Sequence, residues 1–244
     1  MRPVRPIRNK AVPLAPVWKK ELEKKSSGMP RILVALSSCQ LYEDRGWHDA
    51  ARQTWLSEAK KLGIDYKFFF GRGAKEKEDV VVVDCHDGYF DLTSKQKEKI
   101  KWALFQNYDY VFSCLADCYA SPERLLSSGF EKYDYFGDVY CHPGGVPYCQ
   151  GGPGYFMSRA ACEAVAAATS NYPNEDCWTG DILAGHPMAR GDSKDFVWQG
   201  HLPGFGPSPT NTHITAHLSN ADGGFRPELM WEKDRQWRGT GTGQ

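Results

Sequence analysis

The 244-residue sequence lacks long hydrophobic runs, and its longest apolar stretches are short segments such as RILVAL and DVVVVD. A transmembrane helix needs about 20 consecutive apolar residues, and the charged N-terminal segment has no apolar stretch behind it. The sequence also contains no Asn-x-Ser/Thr glycosylation acceptor. These absences predict a protein without a membrane span or a secretion signal, and we expect it in the cytoplasm.

Glycine-rich phosphate loops and zinc motifs are missing as well. The segments GRG and CQGGPGY match neither the Walker loop nor the dinucleotide-binding fingerprint. The eight cysteines are scattered through the chain without the paired short spacings of zinc sites, which favours reduced thiols. A bound phosphate group would therefore need a metal ion or a Lys or Arg side chain.

Charge is unevenly distributed, although 30 basic and 30 acidic residues give a formal net charge of zero. Residues 1–28 contain eight basic and two acidic residues, a charge of +6, so the rest of the chain carries −6. Such a basic extension binds the phosphates of a nucleic acid, or it is a solvated arm whose segment PVWKKELEKK packs on the folded body as a short helix. We place the only domain boundary after residue 28.

Apolar, β-branched segments alternate with helical segments from about residue 30 onward. RILVALSSC, DYKFFFGRG, EDVVVVDC and YDYVFSCL have the composition of buried strands. HDAARQTWLSEAKKLG has helical spacing and ends at Gly63, a plausible C-cap, and TSKQKEKIKWALFQN predicts an amphipathic helix that begins at Thr93 or Ser94. This order predicts one α/β domain with a mostly parallel central sheet flanked by helices. We expect much of the C-terminal third to be loop.

The segment YVFSCLADCYASPERLL places Asp117 where a strand ends and a helix follows. In parallel α/β sheets, ligands bind at the carboxyl ends of the strands. This position is compatible with three roles for Asp117, namely a metal ligand, a helix-capping acid or a surface residue. Capping suits Ser121 better, because Pro follows it at the first helical position.

Two further segments carry candidate functional residues. In NEDCWTGD (174–181), the carboxylates of Glu175, Asp176 and Asp181 are favourable charges at a helix start, or one of them is a general base beside the Trp178 ring. In THITAHLS (212–219), His213 and His217 have a spacing that suits a strand or a helix face. One of these histidines is a candidate metal ligand, and the alternative is that both are hydrogen-bonded residues of the core.

Taken in order, these segments resemble the Fringe and β-galactosyltransferase group of inverting glycosyltransferases over about residues 30–235. The resemblance rests on the order and spacing of the matches. It implies a GT-A type fold, a nucleotide-sugar-binding α/β sandwich, in a glycosyltransferase domain at residues 29–244. The matching segments are ARQTWL (51–56), YKFFFGRG (66–73), DCHDGYFDLTSKQKEKIKWAL (84–104), YDYVFSCLADCYASPERLL (108–126), YCQGGPGYFMSRAA (148–161), EDCWTG (175–180) and HITAHLSNADGGFRPELM (213–230).

The resemblance also implies roles for individual residues. Asp176 aligns with the general base, Asp117 with the last aspartate of the acidic metal motif, and His217 with a late metal ligand for which His213 is the fallback. The implied donor-binding residues are Ser37, Ser38, Arg52, Asp87, Lys95 and Asp117, and the implied acceptor-binding residues are Gly152, Gly154, Tyr155 and Trp178. The implied cofactor is Mn²⁺ or Mg²⁺, and the implied donor is a UDP-sugar.

The chain departs from the family pattern where Leu115 and Ala116 replace two earlier acids, Asp91 replaces an Asn and Cys177 replaces a Val. Hard cations keep water and phosphate oxygens in their shell, so one Asp, one His and a diphosphate make a workable metal site, and a lost metal site is the alternative. The acceptor is a glycan or another hydroxyl compound, including a hydroxylated DNA base held by residues 1–28. A rival function is a degenerate domain that binds a nucleotide-sugar or glycan without turnover. The missing membrane anchor favours a bacterial, viral or phage source.

Overall fold

The computed structural model describes residues 28–198, 213–218 and 227–238, which form a mixed α/β structure. The strands are β1 (Ile32–Ser37), β2 (Asp65–Phe70), β3 (Val80–Val82), β4 (Tyr110–Leu115), β5 (Cys118–Ala120), β6 (Tyr135–Gly137), β7 (Val139–Tyr140), β8 (Tyr148–Cys149), β9 (Tyr155–Ser158), β10 (Arg190–Asp192), β11 (Phe196–Trp198) and β12 (Thr215–His217). The helices are α1 (Gln40–Asp44), α2 (Trp47–Gln53), α3 (Trp55–Lys61), α4 (Leu92–Phe105), α5 (Pro122–Ser127), α6 (Arg159–Ala167), α7 (Glu175–Ala184) and α8 (Pro227–Arg238).

Seven strands form the central sheet in the order β10-β6-β9-β4-β1-β2-β3. Strand β1 runs parallel to β2 and β4, β2 runs parallel to β3, and β10 runs parallel to β6. Strand β9 is antiparallel to both β4 and β6. The predicted α/β fold with a mostly parallel central sheet is therefore confirmed.

Strand β1 is buried on both faces, which explains its continuous apolar run. Because side chains alternate along a strand, Val34 and Leu36 pack on one face of the sheet with Trp55 of α3. Leu33 and Ala35 pack on the other face in the core that also contains residues of α4, α6 and α7. The sheet therefore separates two hydrophobic cores, and its carboxyl edge is where loops from β1 and β4 meet.

A second sheet, with strand order β11-β12-β5, lies at this edge. Strand β12 is antiparallel to β5, in a register that places His217 opposite Cys118. The C-terminal segment thus returns to the turn that follows β4. This return positions a late residue of the chain beside Asp117.

The helix predicted from HDAARQTWLSEAKKLG is divided into α2 and α3. The break lies at Thr54, which has φ −106° and ψ −114°. The Thr54 hydroxyl donates to the carbonyl oxygen of Ala50 at 2.6 Å, which illustrates how a threonine side chain competes with regular helix hydrogen bonds. The predicted single helix is therefore wrong at this residue, although Gly63 adopts the positive φ of +78° expected of a helix C-terminus.

Two other predictions differ from the structure in detail. Helix α4 begins at Leu92 after a 3-10 turn, and the Thr93 hydroxyl donates to the carbonyl of Tyr172 at 2.7 Å instead of capping the helix. Helix α8 occupies part of the C-terminal third that was expected to be loop, and it is anchored by the buried side chains of Met230 and Trp237.

The predicted basic extension (1–28) lies outside the described residues except for Gly28. The domain boundary after residue 28 and the nucleic-acid role of the extension stay predictions. None of the helices in the described ranges has both the length and the apolar composition to cross a membrane.

Candidate functional site

Asp117 and His217 form a contacting pair at the carboxyl edge of the sheet. Asp117 lies in the turn between β4 and β5, and β12 delivers His217 from the other side. The Nε2 atom of His217 is 3.1 Å from Oδ2 of Asp117. The backbone N–H of Leu218 donates to the carbonyl oxygen of Asp117 at 2.9 Å, which fixes the two segments together. His217, and not the fallback His213, is therefore the histidine that contacts Asp117.

This pair fits two ligand positions of a divalent cation. The Oδ1 atom of Asp117 is buried and accepts no hydrogen bond from any residue in the described ranges. Two ligand atoms about 2.1 Å from one octahedral cation lie about 3 Å apart, close to the observed 3.1 Å between His217 and Asp117. Within the described part of the chain, no group of three or more His, Cys, Asp or Glu side chains is placed to hold a metal ion. Substrate oxygens and water would have to complete the coordination shell.

Gly152 packs directly against the imidazole of His217. A Cβ atom at Gly152 would lie 2.7 Å from Nδ1 of His217, which is closer than real Cβ contacts. Glycine is therefore required here by close approach. Gly152, which the resemblance predicts to bind the acceptor, therefore allows the His217 ring to lie where it does.

Asp176 lies in the first turn of α7, beside the same glycine-containing loop. Its Oδ2 atom accepts the backbone N–H of Gly151 at 3.2 Å, and its Oδ1 atom accepts the N–H of Cys177 at 2.9 Å. Gly151 and Gly152 are consecutive, so one loop touches both the candidate base and the Asp117–His217 pair. The carboxylate of Asp176 is held by two donors while its side chain keeps partial solvent access.

A chain of buried hydrogen bonds connects Lys99 to Glu175, the neighbour of Asp176. Lys99 donates from Nζ to the hydroxyl of Ser113 at 2.8 Å, and Ser113 donates to Oε1 of Gln96 at 3.1 Å. Gln96 donates from Nε2 to the hydroxyl of Tyr155 at 2.9 Å, and Tyr155 donates to the Glu175 carboxylate. Every donor points the same way, from the buried Lys99 ammonium towards the partly buried Glu175 carboxylate. Such chains polarise each of their members.

Burial shifts the titration of both ends of this chain. Removal from water raises the pKa of Glu175 to about 7, against the attraction of the Lys99 charge. Removal from water also lowers the pKa of Lys99 to about 8. Each end thus loses hydration, and the aligned hydrogen bonds between them compensate for part of that loss.

Three predicted donor-binding residues meet at the end of β1. The Lys95 ammonium donates to Oδ1 of Asp87 and to the carbonyl oxygen of Ser38, both at 2.5 Å. The same Asp87 oxygen accepts the backbone N–H of Gly71 at 2.6 Å. The structure therefore brings Ser38, Asp87 and Lys95 together at the carboxyl edge, where their binding of a donor stays a prediction.

Ser37 and Arg52 are placed differently from what the resemblance implied. The Ser37 hydroxyl accepts from Lys99 at 2.9 Å, on the opposite face of the sheet from Ser38's hydroxyl partner. The Arg52 guanidinium donates to Asp79 at 2.7 Å, to Asp49 at 3.0 Å and to Glu43 at 3.2 Å. Ser37 thus hydrogen-bonds a buried lysine and Arg52 is engaged by three carboxylates, while their binding of a donor stays a prediction.

The three predicted acceptor-binding residues Trp178, Tyr155 and Gly154 are buried. Trp178 is fully buried, and its Nε1 donates to the carbonyl of Ser170 at 3.1 Å. Tyr155 is fully buried within the hydrogen-bond chain to Glu175. Gly154 has φ +88°, and a Cβ there would lie 2.5 Å from the Phe112 ring. All three residues pack in the core, and their binding of an acceptor stays a prediction.

Sequence reasoning missed His48 and Glu43. The Nε2 atom of His48 lies 2.6 Å from the hydroxyl of Ser38, and its Nδ1 hydrogen-bonds the carboxylate of Glu43. Both residues lie in the short helices α1 and α2, joined by Gly46 in a left-handed conformation with φ +76°. The sequence carried no signal for this contact, because Ser38, Glu43 and His48 form no spaced motif and come together only through the fold.

The sequence matches no protein-family model and no curated protein. The structure is similar to that of the inositol-1-phosphate CTP transferase from T. maritima, with 9% identity, a TM-score of 0.47 and coverage of 86% of this chain and 98% of that chain. It is also similar to the crystal structure of A197 from STIV, with 13% identity, a TM-score of 0.38 and coverage of 67% and 82%. Similarities of this depth carry no functional argument, and the resemblance to the Fringe group stays a prediction.

Proposed function

We propose that this protein is an inverting glycosyltransferase that moves a sugar from a UDP-sugar to a hydroxyl acceptor. The observation that supports this proposal best is the loop at Gly151 and Gly152, which contacts Asp176 on one side and His217 on the other. A transferase of this kind needs a base for the acceptor and positive charge for the departing diphosphate at adjacent places.

In the proposed reaction, Asp176 accepts the proton of the acceptor hydroxyl. The acceptor oxygen forms a bond to the anomeric carbon of the donor sugar, while the bond from that carbon to the diphosphate oxygen breaks. The bonding electrons leave with UDP, and in-line attack from the face opposite the departing diphosphate inverts the anomeric centre. Because Gly151 and Cys177 orient its two oxygens, Asp176 needs little rearrangement to act.

Asp117 and His217 would hold Mn²⁺ or Mg²⁺, which supplies charge neutralisation for a diphosphate when it is bound. The unpartnered, buried Oδ1 of Asp117 supports this role, since a buried carboxylate oxygen without a partner is costly. Lys95 adds a positive charge at the end of β1, although Asp87 pairs with it at 2.5 Å. Leu115 and Ala116 occupy the positions of the missing acids, and Ala116 is buried.

A screen of UDP-sugars for slow hydrolysis, with and without Mn²⁺, tests the proposal. We expect one donor to be hydrolysed faster with Mn²⁺ than with EDTA, and a hydroxyl acceptor to convert hydrolysis into transfer. Binding of UDP without hydrolysis of any donor would instead indicate the rival function, a degenerate nucleotide-sugar-binding domain. Absence of UDP binding would contradict both the transferase and the nucleotide-sugar-binding domain, and would leave only the glycan-binding form of the rival function.

A further inference from the structure

Ser38, His48 and Glu43 form a buried hydrogen-bond relay at the end of β1. The Ser38 hydroxyl is 2.6 Å from Nε2 of His48, and Nδ1 of His48 hydrogen-bonds Glu43. His48 has no exposed surface, and Ser38 is 5% exposed. The rings of Phe68 and Phe70 lie 4.3 and 5.3 Å from the imidazole, which restrains its rotation.

The charges around Glu43 fix the tautomer of His48. Burial acts to raise the pKa of Glu43, but hydrogen bonds from Lys77, His48 and Arg52 outweigh it and lower that pKa to about 2. Burial lowers the pKa of His48 itself. A neutral imidazole beside an ionised carboxylate places its proton on Nδ1, so that Nε2 is an acceptor.

The direction of the Ser38 hydrogen bond follows from this tautomer. Since Nε2 of His48 can only accept, the Ser38 hydroxyl must donate to it. The Ser38 oxygen then retains only its lone pairs for any other partner. It is a fixed hydrogen-bond acceptor, held at the same edge of the sheet where the Ser38 carbonyl contacts Lys95.

A fixed acceptor selects one part of a nucleoside diphosphate. Diphosphate oxygens are acceptors and would be repelled by the lone pairs of Ser38. The nucleoside part carries donors, namely the N3–H of uracil and the ribose hydroxyls. On the proposed function of the preceding section, on which this inference rests, the group that fits Ser38 belongs to the nucleoside.

We propose that His48 and Glu43 are positioning residues that hold the Ser38 hydroxyl as an acceptor for an N–H or O–H group of the donor nucleoside. Ser38 makes the contact with the ligand, and the two other residues set its direction. The relay therefore contributes to nucleoside selection, while binding of the diphosphate is carried by other groups.

Calorimetric titration of the full chain in Mn²⁺ tests this role with UDP and inorganic pyrophosphate. We expect Ser38→Ala to weaken UDP binding about three- to tenfold, the usual range for one neutral hydrogen bond, and to leave pyrophosphate binding unchanged. His48→Phe removes the acceptor and should behave like Ser38→Ala. His48→Gln supplies an amide oxygen near the position of Nε2 and should restore most of the UDP affinity.

Nucleotide analogues identify the donor group. CDP lacks the N3–H, and 2′-deoxy-UDP and 3′-deoxy-UDP each lack one ribose hydroxyl. We expect the penalty of Ser38→Ala to disappear with the one analogue that lacks the group bound by Ser38. A penalty that persists with all three analogues would overturn the proposal.

Ser158→Ala is the matched control, because Ser158 is also a buried serine with a short hydrogen bond, 2.6 Å to Asp134. Ser158 pairs with Tyr110 at the start of β4, at the opposite edge of the sheet. We expect the Ser158→Ala variant to bind UDP as the wild type does. Equal UDP binding by wild type and Ser38→Ala would overturn only the positioning role. A loss of pyrophosphate binding in Ser38→Ala as large as its loss of UDP binding would do the same. A wild-type protein that binds no UDP would overturn the proposed function itself.

Discussion

The backbone N–H of Gly151 donates to Oδ2 of Asp176 at 3.2 Å. This bond joins the start of α7 to the glycine loop that packs on His217. It therefore connects the candidate base to the candidate metal pair through consecutive residues, and it makes separate tests of each part possible.

Replacing Asp176 by Asn should remove the base and leave the fold in place. Asn keeps an oxygen that accepts from Gly151, so UDP binding should stay near the wild-type value. We expect transfer to fall by at least about 100-fold, the scale of general-base loss. Asp181→Asn is the control in the same helix, where Asp181 accepts from Tyr172. Near-normal turnover by Asp176→Asn would contradict the assignment of the base.

Asp117 and His217 should act as one unit in metal-dependent binding. Asp117→Ala and His217→Ala should each weaken UDP binding in Mn²⁺, and the double variant should lose little more than either single variant, because residues that serve one ion are not additive. In EDTA, all four proteins should bind UDP alike. Calorimetric titration of UDP in Mn²⁺ and in EDTA measures these affinities. An unmutated protein that binds UDP equally well in EDTA would indicate that Leu115 and Ala116 mark a lost metal site.

Gly152→Ala should disturb the same site from the opposite side of His217. The added Cβ would lie 2.7 Å from Nδ1 of His217, so the ring must move. We expect UDP binding in Mn²⁺ to fall towards the level of His217→Ala, with no change in EDTA. Gly185→Ala provides the control, since its Cβ would lie 3.5 Å from the nearest atom, the Ile182 carbonyl oxygen. Wild-type affinity for UDP in the Gly152→Ala protein would show that the His217 position is not needed.

Tyr155→Phe should destabilise the protein through the buried hydrogen-bond chain. The change leaves the Gln96 amide and the Glu175 carboxylate without their shared partner. We expect the free energy of unfolding to fall by about 1–3 kcal/mol, as measured by urea denaturation. Tyr172→Phe is the control, because Tyr172 donates to the Asp181 carboxylate from a side chain that is 38% exposed. A raised KM for the acceptor with unchanged stability would instead support acceptor binding by Tyr155.

Glu43 should contribute stability that depends on pH. Its pKa is lowered from 4.5 to about 2 in the folded chain. A carboxyl group with a lowered folded pKa stabilises the fold above its unfolded pKa, and this contribution is lost as the pH falls from about 4.5 to about 2. The difference in unfolding free energy between wild type and Glu43→Gln should be on the order of 3 kcal/mol near pH 6 and shrink towards pH 2.

Urea denaturation at several pH values measures the Glu43 contribution. The control is Glu58→Gln, which removes a carboxylate paired with Lys61 and Arg238 near the surface. Its effect should be much smaller, because solvent screens exposed ion pairs. A wild-type minus Glu43→Gln difference that stays constant with pH would contradict the lowered pKa.

Local pattern was sufficient for most of the fold. The apolar β-branched runs predicted β1, β2, β3 and β4. The helical pattern failed at Thr54, where the side-chain hydroxyl donates a hydrogen bond to the Ala50 carbonyl oxygen and the helix is divided. It also failed for α8, in which charged and polar residues predominate and only Met230 and Trp237 among the apolar side chains are buried.

The candidate site was only partly predictable, because a motif identifies a residue without giving the direction in which its side chain points. The sequence by itself determined the α/β alternation, the strand end before Asp117 and the carboxylates that open α7. The tertiary structure alone decided that Ser37 contacts Lys99 while Ser38 contacts His48, and that Trp178 and Tyr155 are buried. The physical reason is that hydrogen-bond partners and burial depend on which segments meet across the sheet, and those contacts join residues far apart in the chain.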